Sequence, residues 1–63
     1  MTQLLTSKET AERLRISMST LRNWRREGRG PRVIKLGPGI YRYSEEELRE
    51  YVESKIGQER EHA

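Results

Sequence analysis

A chain of 63 residues with no cysteine and a single histidine, His62, has room for one small core and neither a disulfide nor a metal cluster to brace it. Only 32% of residues are hydrophobic, no apolar run approaches the ~18 residues of a membrane span, and the first residues carry no signal-peptide pattern, so a cytoplasmic protein with no membrane partner is expected. The net charge of +3 hides a division: residues 1–44 hold ten Lys and Arg against three Glu, whereas residues 45–63 hold three against seven, so a basic body of +7 carries an acidic end of −4.

Taken in order, Leu4 and Leu5 in the short lead are expected to supply the first core residues. A helix then begins at Thr6, because Thr6 and Glu9 stand in the spacing of a capping box, where each side chain satisfies the other residue's free backbone amide. Ala11 and Leu14 form its buried stripe, and Lys8, Glu12 and Arg13 face water or a polyanion. Arg15, Ile16 and Ser17 make a turn, with Ile16 at the corner. Ser17 is a good N-cap for a second helix that runs to Glu27, and Gly28 suits the left-handed residue that ends it.

That second helix organises the chain. At about 100° per residue, Leu21 and Trp24 share a core-facing side, while Ser19, Thr20, Arg22, Asn23 and Arg26 spread round the other. Arg22, Arg25, Arg26 and the following Arg29 are offset locally by Glu27 alone. A surface of this kind is suited to phosphates and base edges, whereas Trp24, three residues from Leu21, belongs to the core rather than to a base stack.

Arg29, Gly30 and Pro31 break the helix, and two β-prone runs follow, Val33 to Leu36 and Ile40 to Tyr43, separated by Gly37, Pro38 and Gly39. They read as a hairpin. Alternation is expected to turn Ile34 and Leu36 inward with Lys35 outward, and Tyr41 and Tyr43 inward with Arg42 outward, leaving Lys35 and Arg42 as cations beside a glycine-rich tip. Such a hairpin after a helix-turn-helix is a wing, able to grip a phosphate strand. Ser44 and Glu47 repeat the capping-box spacing, Tyr43 and Leu48 occupy the positions of a hydrophobic staple, and a third helix carries Leu48, Tyr51, Val52 and Ile56 as its stripe. Residues 57–63 are expected to fray, so that residues 1–56 form the domain. The expected fold is α+β and mainly helical: a small winged helix-turn-helix.

The segments LLTSKETAERL, SMSTLRNWRREG, RVIKLG and YRYSEEELREYV, in this order, resemble the excisionase-like branch of the MerR-type winged helix-turn-helix proteins over roughly residues 4–54. The resemblance implies that Leu21 and Trp24 are core and that Ser19, Thr20, Arg22, Asn23 and Arg26 face DNA. It further implies a phage or plasmid recombination directionality factor that binds adjacent sites head to tail, bends double-stranded DNA and steers a site-specific integrase toward excision. A small transcriptional regulator is the alternative within the same fold. Two positions depart from the family pattern, Arg15 where glycine is usual and Thr10 where an apolar residue is usual. The long dimerisation helix and effector domain of full MerR regulators are not expected, and with them a ligand-sensing role.

The residues expected to contact DNA are therefore Ser19, Thr20, Arg22, Asn23, Arg25, Arg26, Lys35 and Arg42. An enzyme is not expected, since one tail histidine and surface glutamates supply no nucleophile, base or metal set, and no cofactor is implied. The rival from another class is a protein-binding adaptor that docks through its acidic third helix.

Overall fold

The computed structural model describes residues 3–62, with side chains through Gly57. The element order is β1 (Leu4–Thr6), α1 (Ser7–Leu14), α2 (Met18–Glu27), β2 (Val33–Gly37), β3 (Ile40–Ser44) and α3 (Glu45–His62). The strands form an antiparallel sheet in the order β1-β3-β2. This is a winged helix-turn-helix with a third strand added to the wing.

Two strand-to-helix corners set the frame. Thr6 ends β1 and caps α1: its hydroxyl accepts the Glu9 N–H at 3.0 Å, and its own N–H donates to Glu9 Oε1 at 2.9 Å, completing the capping box. Ser44 ends β3 and its hydroxyl accepts the Glu47 N–H at 3.3 Å at the start of α3. The corners are tied together because Leu4 pairs with Ser44 and the Glu45 N–H donates to the Gln3 carbonyl at 2.9 Å. Chain entry and third helix are thus fixed to each other through β3.

The core is small: Leu5, Ala11, Leu21, Tyr43 and Leu48 are buried, with Leu14, Ile16, Trp24 and Val33 packed around them. Tyr43 and Leu48 meet in this cluster, as a staple requires. Thr10 is fully buried, and its hydroxyl donates to the Thr6 carbonyl at 2.9 Å, so the polar atom placed where an apolar residue is usual is satisfied within its own helix. Small Ala11 lets α2 approach, and Arg15 adopts the left-handed conformation (φ 56°) with its N–H directed to the carbonyls of Ala11 and Glu12. Ser17 accepts the Thr20 N–H at 3.1 Å, and Gly28 ends α2 at φ 73°.

Two expectations are corrected. Leu4 is 46% exposed and only Leu5 enters the core, because β1 is a strand whose alternate residues face opposite sides of the sheet. The phase of β2 is the reverse of the one expected: Val33 lies opposite Tyr43 and packs on the core, Ile34 lies opposite Arg42 on the other face, and Leu36 is 58% exposed. Lys35 lies opposite Tyr41 and so shares the core-side face, beyond the edge of the core. Pairing with β3 selected this register, and a one-residue difference in phase exchanges every side chain between faces. The span of α3 runs on through Gly57 to His62, since an interior glycine costs a helix about 1 kcal/mol without ending it. The side chains that follow Gly57, to which the expectation of a frayed tail applies, lie outside the described residues.

Gly30, expected only to help break the helix, governs how the chain leaves α2. Its φ is +79°, and a Cβ there would stand 2.6 Å from Trp24 Cε3. The turn to the wing is folded directly over the indole, whose other neighbour is Tyr51 of α3 at a centroid distance of 6.4 Å.

Two left-handed positions should therefore respond oppositely to substitution. Arg15→Gly removes backbone strain of ~1–2 kcal/mol and adds somewhat less than that in unfolded-chain entropy, so Tm should rise by a few degrees. Gly30→Ala must displace Trp24 and should lower Tm by much more than Gly28→Ala, where a Cβ meets nothing within 4 Å. A thermal melt of the three variants checks both signs.

The Glu9 carboxyl is held below its ordinary range chiefly by the backbone N–H of Thr6, then by the Thr6 hydroxyl, with Arg13 and Arg42 adding smaller attractions. A depressed folded-state pKa stabilises above the unfolded carboxylate pKa, and that contribution disappears as pH falls through the folded value. The Tm difference between the wild type and Glu9→Gln should be full at neutral pH and close in acid; a gap independent of pH would show that the carboxylate charge is not what holds the cap.

Candidate nucleic-acid interface

The division of α2 into two faces follows from its anchors. Leu21 is buried and Trp24 half-buried, which fixes the rotation of the helix and leaves Ser19, Arg22, Asn23 and Arg26 exposed. Thr20 lies elsewhere: it is half-buried, on the Trp24 side, and its hydroxyl accepts from the Ser17 hydroxyl at 3.0 Å within the N-cap. Its side chain thus already has a structural task in the cap. Asn23 Oδ1 accepts from an Arg26 guanidinium N–H at 3.0 Å, so these two side chains present themselves as a unit. The carboxamide oxygen that would meet an adenine amino group is the atom Arg26 holds, and adenine reading would require that bond to be exchanged.

Arg25 stands apart from this stripe. Half-buried on the flank of α2, it places its guanidinium carbon 3.9 Å above the centroid of the Tyr41 ring on β3. The next residue along β3, Arg42, donates from its guanidinium to the Tyr41 carbonyl at 2.7 Å. A groove therefore opens between α2, the start of α1 and the wing, lined in part by Lys8, Arg22, Arg25 and Arg42. Lys35 is exposed opposite Tyr41 on the neighbouring strand. The structure thus brings Arg22, Arg25 and Arg42 together, sets Ser19, Asn23 and Arg26 on the adjoining exposed surface, and leaves Lys35 at the wing.

Where the acids lie matters as much. Glu45 reaches Arg13 at 3.5 Å, Glu47 reaches Arg32 at 3.6 Å and Glu27 reaches Arg29 at 3.1 Å. These exposed pairs contribute little stability each. Their effect is on the distribution of charge: Arg29, which the sequence counted with the cations of α2, is locally neutralised, whereas Lys8, Arg22, Arg25, Arg26, Lys35 and Arg42 have no carboxylate partner among the described residues.

Sequence reasoning placed Tyr41 with the core and left Lys8 undecided. Alternation put Tyr41 on the same face as Tyr43, which is correct, but two residues farther along β3 the core has ended and Arg25 covers the ring instead. The signal available was the length of β3 relative to a core of this size. Among the described residues, no group of three or more His, Cys, Asp or Glu is placed to hold a metal ion, and no helix is long and apolar enough to cross a membrane.

A helix-turn-helix with a basic second helix and a cationic β-hairpin beside it has the form of a small nucleic-acid-binding module. Comparison with protein families agrees: the helix-turn-helix domain family matches residues 4–56, and the chain belongs to that family. Comparison with curated proteins and with solved structures finds no significant match.

Because Asn23 and Arg26 are bonded, their contributions to DNA affinity should not add. A double-mutant cycle with Asn23→Ala and Arg26→Ala, read by fluorescence anisotropy on duplex DNA, should show a coupling of about 0.5–3 kcal/mol. Additive losses would mean that the two side chains separate on binding.

Proposed function

We propose that this domain binds duplex DNA by laying α2 in the major groove, with the β2–β3 hairpin gripping the adjacent backbone. One observation carries the reading: the cations on the outer surface of α2 and on the wing gather without a carboxylate ion pair among the described residues, whereas Arg13, Arg29 and Arg32 each have one. Charge left uncompensated on one contiguous surface adds nothing to folding, and a polyanion is the ligand that relieves it. In this arrangement Ser19, Arg22, Asn23 and Arg26 face base edges and phosphates, Arg25, Arg42 and Lys35 hold the backbone, and Thr20 contributes at the edge of the contact.

We further propose that the biological role is that of an excisionase, a recombination directionality factor of the MerR-like type. The order of motifs over most of the chain supports this, from the capping box and basic second helix to the wing and the glutamate-rich start of α3. A domain with one recognition helix contacts only a few base pairs, so specific affinity calls for several copies on adjacent sites. The basic body and the acidic α3 are complementary, which suits head-to-tail contact between neighbours on DNA. An array in which each copy tilts the duplex the same way bends it and brings integrase sites together.

Arg22→Ala should weaken binding by ~1–3 kcal/mol while leaving helical circular dichroism and Tm nearly unchanged, because the side chain is exposed and makes no described ion pair. On DNA from beside an attachment site, the wild type should give a cooperative ladder of shifted bands and a mobility that depends on the position of the site in circularly permuted fragments. Non-cooperative binding to a straight duplex would favour a small transcriptional regulator, and binding to an integrase with no affinity for DNA would favour a protein adaptor.

A further inference from the structure

The groove between α1, α2 and the wing has a composition that folding does not explain. Lys8, Arg22, Arg25 and Arg42 line it with Met18 and Tyr41 between them, and no carboxylate is among its described lining residues. Four cations around one groove repel one another. The nearby acids offer little relief, since Glu9 is committed to the Thr6 cap and attracts Arg42 only weakly, and Glu27, Glu45 and Glu47 face Arg29, Arg13 and Arg32.

Two of the cations are also held in place. Arg25 stacks 3.9 Å above the Tyr41 ring, and Arg42 donates to the carbonyl of the same residue. Stacking engages only the face of a guanidinium and leaves its in-plane N–H donors to point outward, in the fork geometry that matches phosphate oxygens. A flexible arginine would lose rotamer entropy on binding; one already resting on a ring loses less. The apolar surfaces of Met18 and Tyr41 between the cations suit the sugars that alternate with phosphates along a nucleic-acid strand.

We propose that this groove seats the sugar-phosphate backbone of one DNA strand, that Lys8 is a phosphate-binding residue, and that the Tyr41 ring is the positioning group that aims Arg25 into the groove, beside Arg42 held on the backbone carbonyl of the same residue. This deepens the DNA-binding reading and rests on it. The division of labour is then spatial: the groove fixes the register of the domain on the duplex, and the Ser19, Asn23 and Arg26 surface is left to the base edges.

The test uses the full chain and a fluorescently labelled mixed-sequence duplex, with Kd measured between about 50 and 200 mM salt. Lys8→Gln, at an exposed site that folding does not need, should weaken binding about three- to tenfold and make the log-log salt slope shallower by about one unit. Tyr41→Leu should weaken binding by about tenfold, also with a shallower slope, whereas Tyr41→Phe, which keeps the ring, should stay within about twofold of the wild type. A folded Tyr41→Leu and a Lys8→Gln that both retain the wild-type affinity and slope would overturn the proposal while leaving DNA binding intact. If Tyr41→Leu does not fold, Lys8→Gln decides alone: an unchanged slope overturns the phosphate seat. Failure of the DNA-binding reading itself is distinguishable, because the wild type would then show no salt-dependent binding at all.

Discussion

The burial of Leu21 in the cluster formed with Leu5, Ala11, Tyr43 and Leu48 is the interaction on which the rest of this domain depends. A chain this short buries few side chains, so each one carries a large share of a net stability that for 63 residues is of order 3–9 kcal/mol. Leu21 is anchored by partners from the first strand, the first helix, the hairpin and the third helix together. Its position sets the rotation of α2 about its own axis, and that rotation decides which arginines face outward and which flank meets the wing. Trp24 makes the rotation unambiguous, since the Gly30 backbone is folded against its ring and the Tyr51 ring lies tilted beside it.

With the axis of α2 settled, function becomes a question of where charge is left uncompensated. The acidic start of α3 is used twice over, stabilising the helix dipole and reaching Arg13 and Arg32 across the fold. Those pairs engage Glu45 and Glu47 with Arg13 and Arg32 and not with the cations of α2 and the wing. The result is a polar arrangement of charge in a domain of modest net charge. The same separation suits contact between successive copies on DNA, where the acidic end of one copy would meet the basic body of the next.

Much of this was legible in the sequence because local chemistry marked the boundaries. The Thr6 and Glu9 capping box, the Ser17 cap, the turn at Arg15, the left-handed Gly28, and the staple of Tyr43 with Leu48 are short-range features, and each appears where its spacing placed it. What was not legible depends on long-range pairing. β1 is three residues long, too short for alternation to show, and exists because β3 lies beside it. The phase of β2 could be written either way from VIKLG alone, and the register with β3 chose Val33 rather than Ile34 for the core. The candidate site shows the same limit. The charges of α2 were plain from the sequence, whereas the seat of Arg25 on Tyr41 required two segments sixteen positions apart to be placed face to face.

The central claim, that the unpartnered cations of α2 and the wing form a surface for the DNA backbone, is tested most directly by the salt dependence of wild-type binding to duplex DNA. Each phosphate neutralised contributes about −0.9 to the slope of log K against log salt. With Lys8, Arg22, Arg25, Arg26, Lys35 and Arg42 available, the account predicts a slope of about −4 or steeper. A slope shallower than about −1, or no binding at low salt, would contradict it.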